Sequence, residues 1–230
     1  MITLYRTDKS IIGTFPVDSV KKAVELAVKQ GISLANANLA FKDLACASLK
    51  GISLAGANLE GTDFTGTNLE WVQLEGANCK GAIFEGANLA FADLEDVSLA
   101  FANLSYANLT RANLTRANLK DANFTGANLN GADLNGAGLK GANLSSVDLM
   151  GADLKGANFT GANFDFAAIS LQCASTEAIV DDRFVAQLAH LLTRQDYSNC
   201  SEEVKRDIDI IKSLSITNLL AEYRNDINLI

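Results

Sequence analysis

The sequence predicts an all-β solenoid: a four-sided parallel β-helix over about residues 32–171, with helical caps at both ends. Three observations predict it. An apolar residue recurs at every fifth position, glycine concentrates at one place within that period, and side-chain markers repeat every 20 residues.

The period comes first, because it excludes the alternatives. Between Leu34 and Ile169 an apolar residue stands at every fifth position without an insertion, beginning Leu34, Leu39, Leu44, Leu49, Leu54, Leu59 and Phe64, which makes 28 repeats. Two positions before each centre lies a second small residue, usually Ala, as at Ala37, Ala57, Ala77, Ala87, Ala102 and Ala127. Between the two stands Asn, Asp or Ser, so the run reads A-(N/D)-L-x-x. Around an α-helix a spacing of five drifts by about 140° per repeat and builds no continuous face. On an extended segment, residues two apart point to the same side and the residue between them points away. Each repeat is therefore a short strand followed by a turn. Of the 17 glycines, 14 fall at the second turn residue, among them Gly51, Gly56, Gly61 and Gly66. That concentration predicts a positive φ there, as in a type II turn.

The coil length follows from the markers. Phe64, Phe84, Phe124 and Phe164 share one face at a lag of 20; Ile32, Ile52 and Val72 share another; Trp71, Phe91 and Arg111 share one corner. Four repeats per coil satisfy all three sets, whereas three repeats per coil would scatter the phenylalanines. The 28 repeats then make about seven coils, a rod of roughly 34 Å at about 4.8 Å per layer. Two positions depart from the pattern: Lys42 occupies an inward place and is expected to snorkel out of the open end, and Ile83 is apolar where Asn or Asp is usual.

The A-(N/D)-L-x-x run closely resembles the pentapeptide-repeat family. The resemblance implies a right-handed quadrilateral β-helix with four repeats per coil, and it covers about 140 of the 230 residues. It also implies a binding role, because some members are rods similar to DNA in size, shape and charge that bind DNA gyrase and protect against quinolones.

The flanks are predicted to cover the rod's unpaired ends. In residues 1–31, Ile2 to Tyr5 and Ile11 to Phe15 read as a hairpin around Thr7-Asp8-Lys9-Ser10. Ser19 to Gln30 reads as a helix, with Asp18 as N-cap, Val20, Ala23, Val24 and Ala27 on one stripe and Gly31 at the stop. In residues 172–230 helical spacing appears: Phe184, Leu188, Leu191 and Leu192, then Val204, Ile208 and Ile211, then a stretch from Ile216 to Ile227. These stripes exceed what one coil needs, which favours a homodimer through the C-terminal helices.

Composition narrows the function. Aromatics are 7% of the chain and the formal charge is −8, so clustered Lys and Arg for direct nucleic-acid binding are not expected. Cys46, Cys79, Cys173 and Cys200 are scattered, which suits free thiols, with Cys79 as a core residue. The opening MITLYRTDKS has no signal-peptide run, and no stretch is apolar enough for a membrane span, so a cytoplasmic protein is expected. No phosphate loop, nucleophile motif or metal-ligand spacing appears, and His190 is the only histidine. The expectation is therefore no catalysis and no cofactor.

Two binding readings remain. In the first, the chain is a scaffold for an unknown protein partner. In the second, it mimics DNA for gyrase. Residues 32–171 carry 14 acids against eight Lys and Arg, with the acids of one face at Glu75, Asp93, Glu95, Asp96, Asp133 and Asp153; DNA would carry roughly 20 charges over that length. The face with Lys80, Lys120 and Lys140 is slightly basic.

Seven successive turns lack glycine: Phe91, Asp96, Phe101, Tyr106, Arg111, Arg116 and Asp121. With Trp71 one layer before Phe91, they form a girdle around the middle of the rod. Either these turns need no positive φ and stacked aromatics stiffen the ladder, with Arg111 over Phe91, or Trp71, Phe91, Phe101, Tyr106, Arg111 and Arg116 are an interface hot spot flanked by Glu75 and Glu95. Both readings expect the side chains to point outward and their turns to differ in backbone from the glycine turns.

Overall fold

A computed structural model describes residues 1–165 and 167–169. In order the chain forms β1 (Ile2–Tyr5), β2 (Ile11–Phe15) and α1 (Val20–Lys29), then a long stack of isolated parallel bridges that ends with β3 (Asp148–Leu149) paired to β4 (Ala168–Ile169).

The stack is a β-helix solenoid. Its parallel bridges run unbroken from Asn38↔Asn58 to Asn143↔Asn163, always 20 residues apart, and the strand pair Asp148↔Ala168 keeps that spacing. Each bridge joins the Asn or Asp position of one coil to the same position one coil on. Both backbone groups of the short strand are used: Leu59 N donates to Asn78 O (2.7 Å) and Asn78 N donates to Ala57 O (2.9 Å). Every central residue from Leu34 to Phe164 is buried, and the small second position beside it is buried too except at Ile32, which is partly covered at the start of the first coil, and at Lys42, which is exposed as expected. Burying each Leu contributes about 1.5–3 kcal/mol. Where Thr62 and Thr67 replace Ala inside the rod, each hydroxyl donates to a carbonyl, of Leu39 and Leu44 respectively, at 2.8 Å. Phe64 and Phe84 stack one coil apart, with centroids 4.9 Å apart.

The turns explain why glycine recurs. In Leu54–Ala57, Ala57 N donates to Leu54 O (3.0 Å) and Gly56, third in the turn, has φ +65°, the geometry of a type II turn. Gly56 N also donates to Glu75 O in the next coil (2.9 Å). The turn's amide is thus part of the ladder between coils. A turn of another type would aim that amide elsewhere and break the ladder.

This corrects one expectation. The seven glycine-free turns have the same backbone as the others: φ is +58° at Phe91, +55° at Asp96, +62° at Phe101, +58° at Tyr106, +55° at Arg111, +57° at Arg116 and +55° at Asp121. Trp71 (+61°), Asn36, Phe41, Cys46 and Ser146 do likewise. The ladder is the reason: Phe91 N donates to Thr110 O, Tyr106 N to Thr125 O and Arg111 N to Asn130 O, each at 2.9 Å. The coil imposes a left-handed residue at every corner whatever the side chain, at about 1–2 kcal/mol for each non-glycine.

At the N-terminal end β1 pairs antiparallel with β2 and continues onto the first coil through the Arg6↔Ala37 bridge and Asn38 N to Tyr5 O (2.8 Å). Helix α1 lies against that coil, burying Ala23, Val24 and Ala27, with Ser48 N donating to Glu25 Oε1 (3.4 Å) and Lys21 Nζ donating to Ala45 O. Its N-cap is Ser19 rather than Asp18: Ser19 is extended and its hydroxyl accepts from Lys22 N (3.2 Å), while Asp18 pairs with Lys22 Nζ at 2.9 Å. The expected C-terminal helices lie outside the described residues.

Candidate protein-binding surface

Each repeat has three outward positions, one of which is the residue directly after the central one, as at Glu75, Glu95 and Lys120; the other two differ in what they do for the fold. The first is the Asn or Asp between the two buried ones. Its side chain is mostly committed to the fold, because the carboxyl or amide oxygen accepts the amide two residues on, as Asn108 Oδ1 does from Thr110 N (3.1 Å) and Asp93 Oδ1 from Glu95 N (3.2 Å). Amide side chains also donate back to the previous coil: Asn108 Nδ2 to Asn88 Oδ1, Asn123 Nδ2 to Asn103 Oδ1 and Asn113 Nδ2 to Asp93 Oδ1, each at 3.1 Å. The second kind is the corner, where side chains carry no such duty. Corners are the variable surface.

One corner holds Trp71, Phe91 and Arg111 in successive coils. The rings of Trp71 and Phe91 stack at 4.5 Å with planes 5° apart, and the Arg111 guanidinium carbon lies 6.0 Å from the Phe91 ring centre. Such a cation–π contact contributes about 0.5–1 kcal/mol at an exposed site. Trp71 remains 52% exposed, so the stack leaves aromatic surface open to solvent. Its indole Nε1 donates to Glu70 Oε1 (3.1 Å), and Glu70 is paired with Lys50 at 2.9 Å. The Lys50 hydrogen bond holds the Glu70 carboxyl below the usual carboxylate range.

The next corner holds Asp96 and Arg116. Arg116 Nε donates to Asp96 Oδ1 (2.9 Å) and Nη2 to Asp96 Oδ2 (2.7 Å), a two-pronged pair that also reaches Glu95. The guanidinium lowers the Asp96 pKa, and the Asp96 carboxylate in turn raises that of Arg116. Between these two corners runs the face with Glu75, Asp93, Glu95, Asp133 and Asp153. Its negative charge is reduced where Arg116 sits, and Asp93, Asp133 and Asp153 all accept a neighbouring backbone amide.

The remaining members of the expected hot spot stand elsewhere. Phe101 occupies the third corner, with Lys120 Nζ 5.8 Å from its ring centre, and Tyr106 the fourth. All six side chains are outside the rod, yet they do not form one patch. Trp71, Phe91, Arg111 and Arg116 share one side; Phe101 and Tyr106 share the opposite one. Sequence spacing had the signal for this, since residues five apart must stand on successive corners. What spacing could not provide is the Arg116 clasp, which depends on rotamers. Among the described residues no cluster of His, Cys, Asp or Glu could hold a metal ion, and no helix is long and apolar enough to cross a membrane.

With a uniform 20-residue coil of five-residue repeats established, comparison identifies the class. A sequence profile described as Pentapeptide repeats matches residues 32–70, 64–100, 92–131, 102–141 and 127–165, in eight copies. The chain belongs to the pentapeptide repeat family. Similar solved structures include HetL, a pentapeptide repeat protein involved in heterocyst differentiation regulation from the cyanobacterium Nostoc sp. strain PCC 7120, at 26% identity over 62% of this chain and 78% of that one, with a TM-score of 0.37. QnrB1, a plasmid-mediated fluoroquinolone resistance protein, is 20% identical over 68% of this chain and 82% of its own, with a TM-score of 0.38. A pentapeptide repeat protein of the Arabidopsis thaliana thylakoid lumen is 26% identical over 63% of this chain and 75% of that one, with a TM-score of 0.27. No curated protein matches the chain.

Proposed function

We propose that the chain is a non-catalytic, cytoplasmic protein-binding scaffold whose partner docks on the side bearing Trp71, Phe91, Arg111 and Arg116, next to Glu75 and Glu95. One observation carries this reading: bulky aromatic and cationic residues occupy left-handed corners where glycine is the unstrained choice, at Phe91 (φ +58°) and Arg111 (+55°) among others. Strain of that kind is retained where a side chain is needed for something other than folding. Trp and Arg are also the residue types that dominate interface energetics.

The same reading takes residues 1–31 and 172–230 as caps on a right-handed solenoid of about seven coils spanning 32–171, with self-association, where it occurs, through the C-terminal helices. It involves no cofactor and no direct contact with nucleic acid. The test is capture of partners from a lysate of the source organism with the intact chain and with Trp71→Ala combined with Phe91→Ala. The expected result is loss of a specific partner while circular dichroism is unchanged; retention of every partner would overturn the docking side.

A second reading, DNA mimicry toward gyrase, draws support from the acidic column Asp93, Asp133 and Asp153, whose members lie on one continuous 20-residue ladder through Asn113. Against it stands Arg116, which pairs with both Glu95 and Asp96. Inhibition of gyrase supercoiling that weakens when Glu75 and Glu95 are changed to Gln would favour this reading over the first.

A further inference from the structure

The column that holds Asp43, Asp63, Asn103, Asn123, Asn143 and Asn163 contains one apolar residue, Ile83. It keeps the backbone of its neighbours, bridging Asp63 on one side and Asn103 on the other. Its side chain cannot do what theirs do: Asp63 accepts the amide of Thr65 (2.8 Å) and Asn103 that of Ser105 (3.2 Å). An isoleucine gives up that hydrogen bond and stands 37% exposed. Its covered part returns some of that stability through burial, but the exposed part gains the fold nothing.

The surroundings of Ile83 explain what could. In its own coil the two adjoining corners are Gly81 and Gly86, where an added Cβ would meet nothing within 4 Å. One coil on, the same two corners carry Phe101 and Tyr106, 55% and 67% exposed. Tyr106 folds away from Ile83, over Gly126, and Lys120 of the following coil caps the Phe101 ring. The corners beside Ile83 therefore stay bare. The result is a shallow shelf with an apolar floor at Ile83 and exposed backbone at both of its corners, bounded one coil on by the corners that carry Phe101 and Tyr106. Its charged residues within the face are Asp63 and Glu85; the two outward columns from Asp43 to Asp165 contain no Lys or Arg, and the nearest cations, Lys80 and Lys120, lie across the Gly81–Phe101 corner.

We propose that this shelf is a second docking surface, on the side of the rod away from Trp71, and that it takes an extended segment of a partner protein with an apolar side chain on Ile83 and a Lys or Arg at Glu85. The bare glycine corners let the partner's backbone lie close to the coil, and the carboxylates of Asp63 and Glu85, which accept hydrogen bonds from Thr65 and Asn103 but form no ion pair among the described residues, favour a cationic segment. The proposal rests on the scaffold reading and extends it to a separate site.

A fluorescein-labelled peptide of alternating Lys and Leu is the probe, followed by anisotropy with the full chain. Ile83→Asn installs the residue usual in that column, so the variant is compatible with the coil, and circular dichroism checks that it folds. The expected result is at least a tenfold loss of affinity for Ile83→Asn, retention for Ile83→Leu, a weakening for Glu85→Gln, and no change for Trp71→Ala. Equal affinity of wild type and Ile83→Asn, equal binding of a peptide with Glu in place of Lys, or loss of binding in Trp71→Ala would each overturn it. Because Trp71 and Ile83 are altered separately, failure of this site leaves the Trp71 side standing or falling on its own test.

Discussion

The Tyr106 ring lies over Gly126 one coil on, so close that a Cβ added to residue 126 would stand 2.8 Å from two ring carbons. Gly126 is thus required twice, for its positive φ of +67° and for the space the ring occupies. Gly81 is required only once, since its corner is open. Gly81→Ala should cost about 1–2 kcal/mol, the left-handed penalty alone. Gly126→Ala should cost more, and in a Tyr106→Gly background its cost should fall to that of Gly81→Ala. Denaturant midpoints of the four variants measure the difference.

Relief of the left-handed penalty should be measurable at the girdle itself. Tyr106→Gly removes a strained corner worth about 1–2 kcal/mol and adds about 0.5–1 kcal/mol of chain entropy lost on folding. A small net gain, of order 0.5 kcal/mol, is expected, read as a raised unfolding midpoint. A clear loss of stability would mean that the ring's packing on the coil outweighs the backbone strain.

The two described cysteines should behave oppositely. Cys46 is exposed and Cys79 buried; burial pushes the Cys79 thiol above its ordinary value. Peptide mapping after iodoacetamide at pH 8 should show Cys46 alkylated and Cys79 protected until the chain unfolds. The pKa is raised on folding, so the Cys79 contribution is complete below the unfolded-state value near 9.0 and is lost as pH rises through and beyond it.

Asp96 should titrate below an ordinary aspartate, because Arg116 donates two hydrogen bonds to it. Carbon-detected NMR of the carboxyl should show its midpoint move back up in Arg116→Ala. Whatever the pair adds to stability is present above the unfolded-state value and fades as pH falls, the sign for a lowered acid. A midpoint unmoved by that substitution would remove Arg116 as the cause.

Much of the solenoid could be read before any coordinates. The spacing of five excludes helix, the alternation of Ala and Leu about Asn defines the inward pair, and the phenylalanines at a lag of 20 identify the coil, which the bridges reproduce from Asn38 to Asn163. The hairpin and α1 were legible for the ordinary reasons of turn chemistry and amphipathic spacing, with the cap one residue later than expected because Ser19 reaches the Lys22 amide. The misreading lay at the girdle. Absence of glycine looked like absence of positive φ, since local preference was all that the sequence offered.

What the sequence by itself determined, then, is which residues face in and which face out, because that follows from a strict period acting on a chain whose side chains alternate. What only the tertiary structure decided is the conformation of the corners and the company the outward residues keep. Each corner amide must meet a carbonyl 19 residues on, as Phe91 N meets Thr110 O, and that demand from the next coil overrides the preference of Phe, Tyr or Arg for negative φ. The same stacking sets Arg116 on Asp96, Tyr106 over Gly126 and bare glycine corners beside Ile83. These are relations between coils, set by the geometry of the stack and the rotamers it permits.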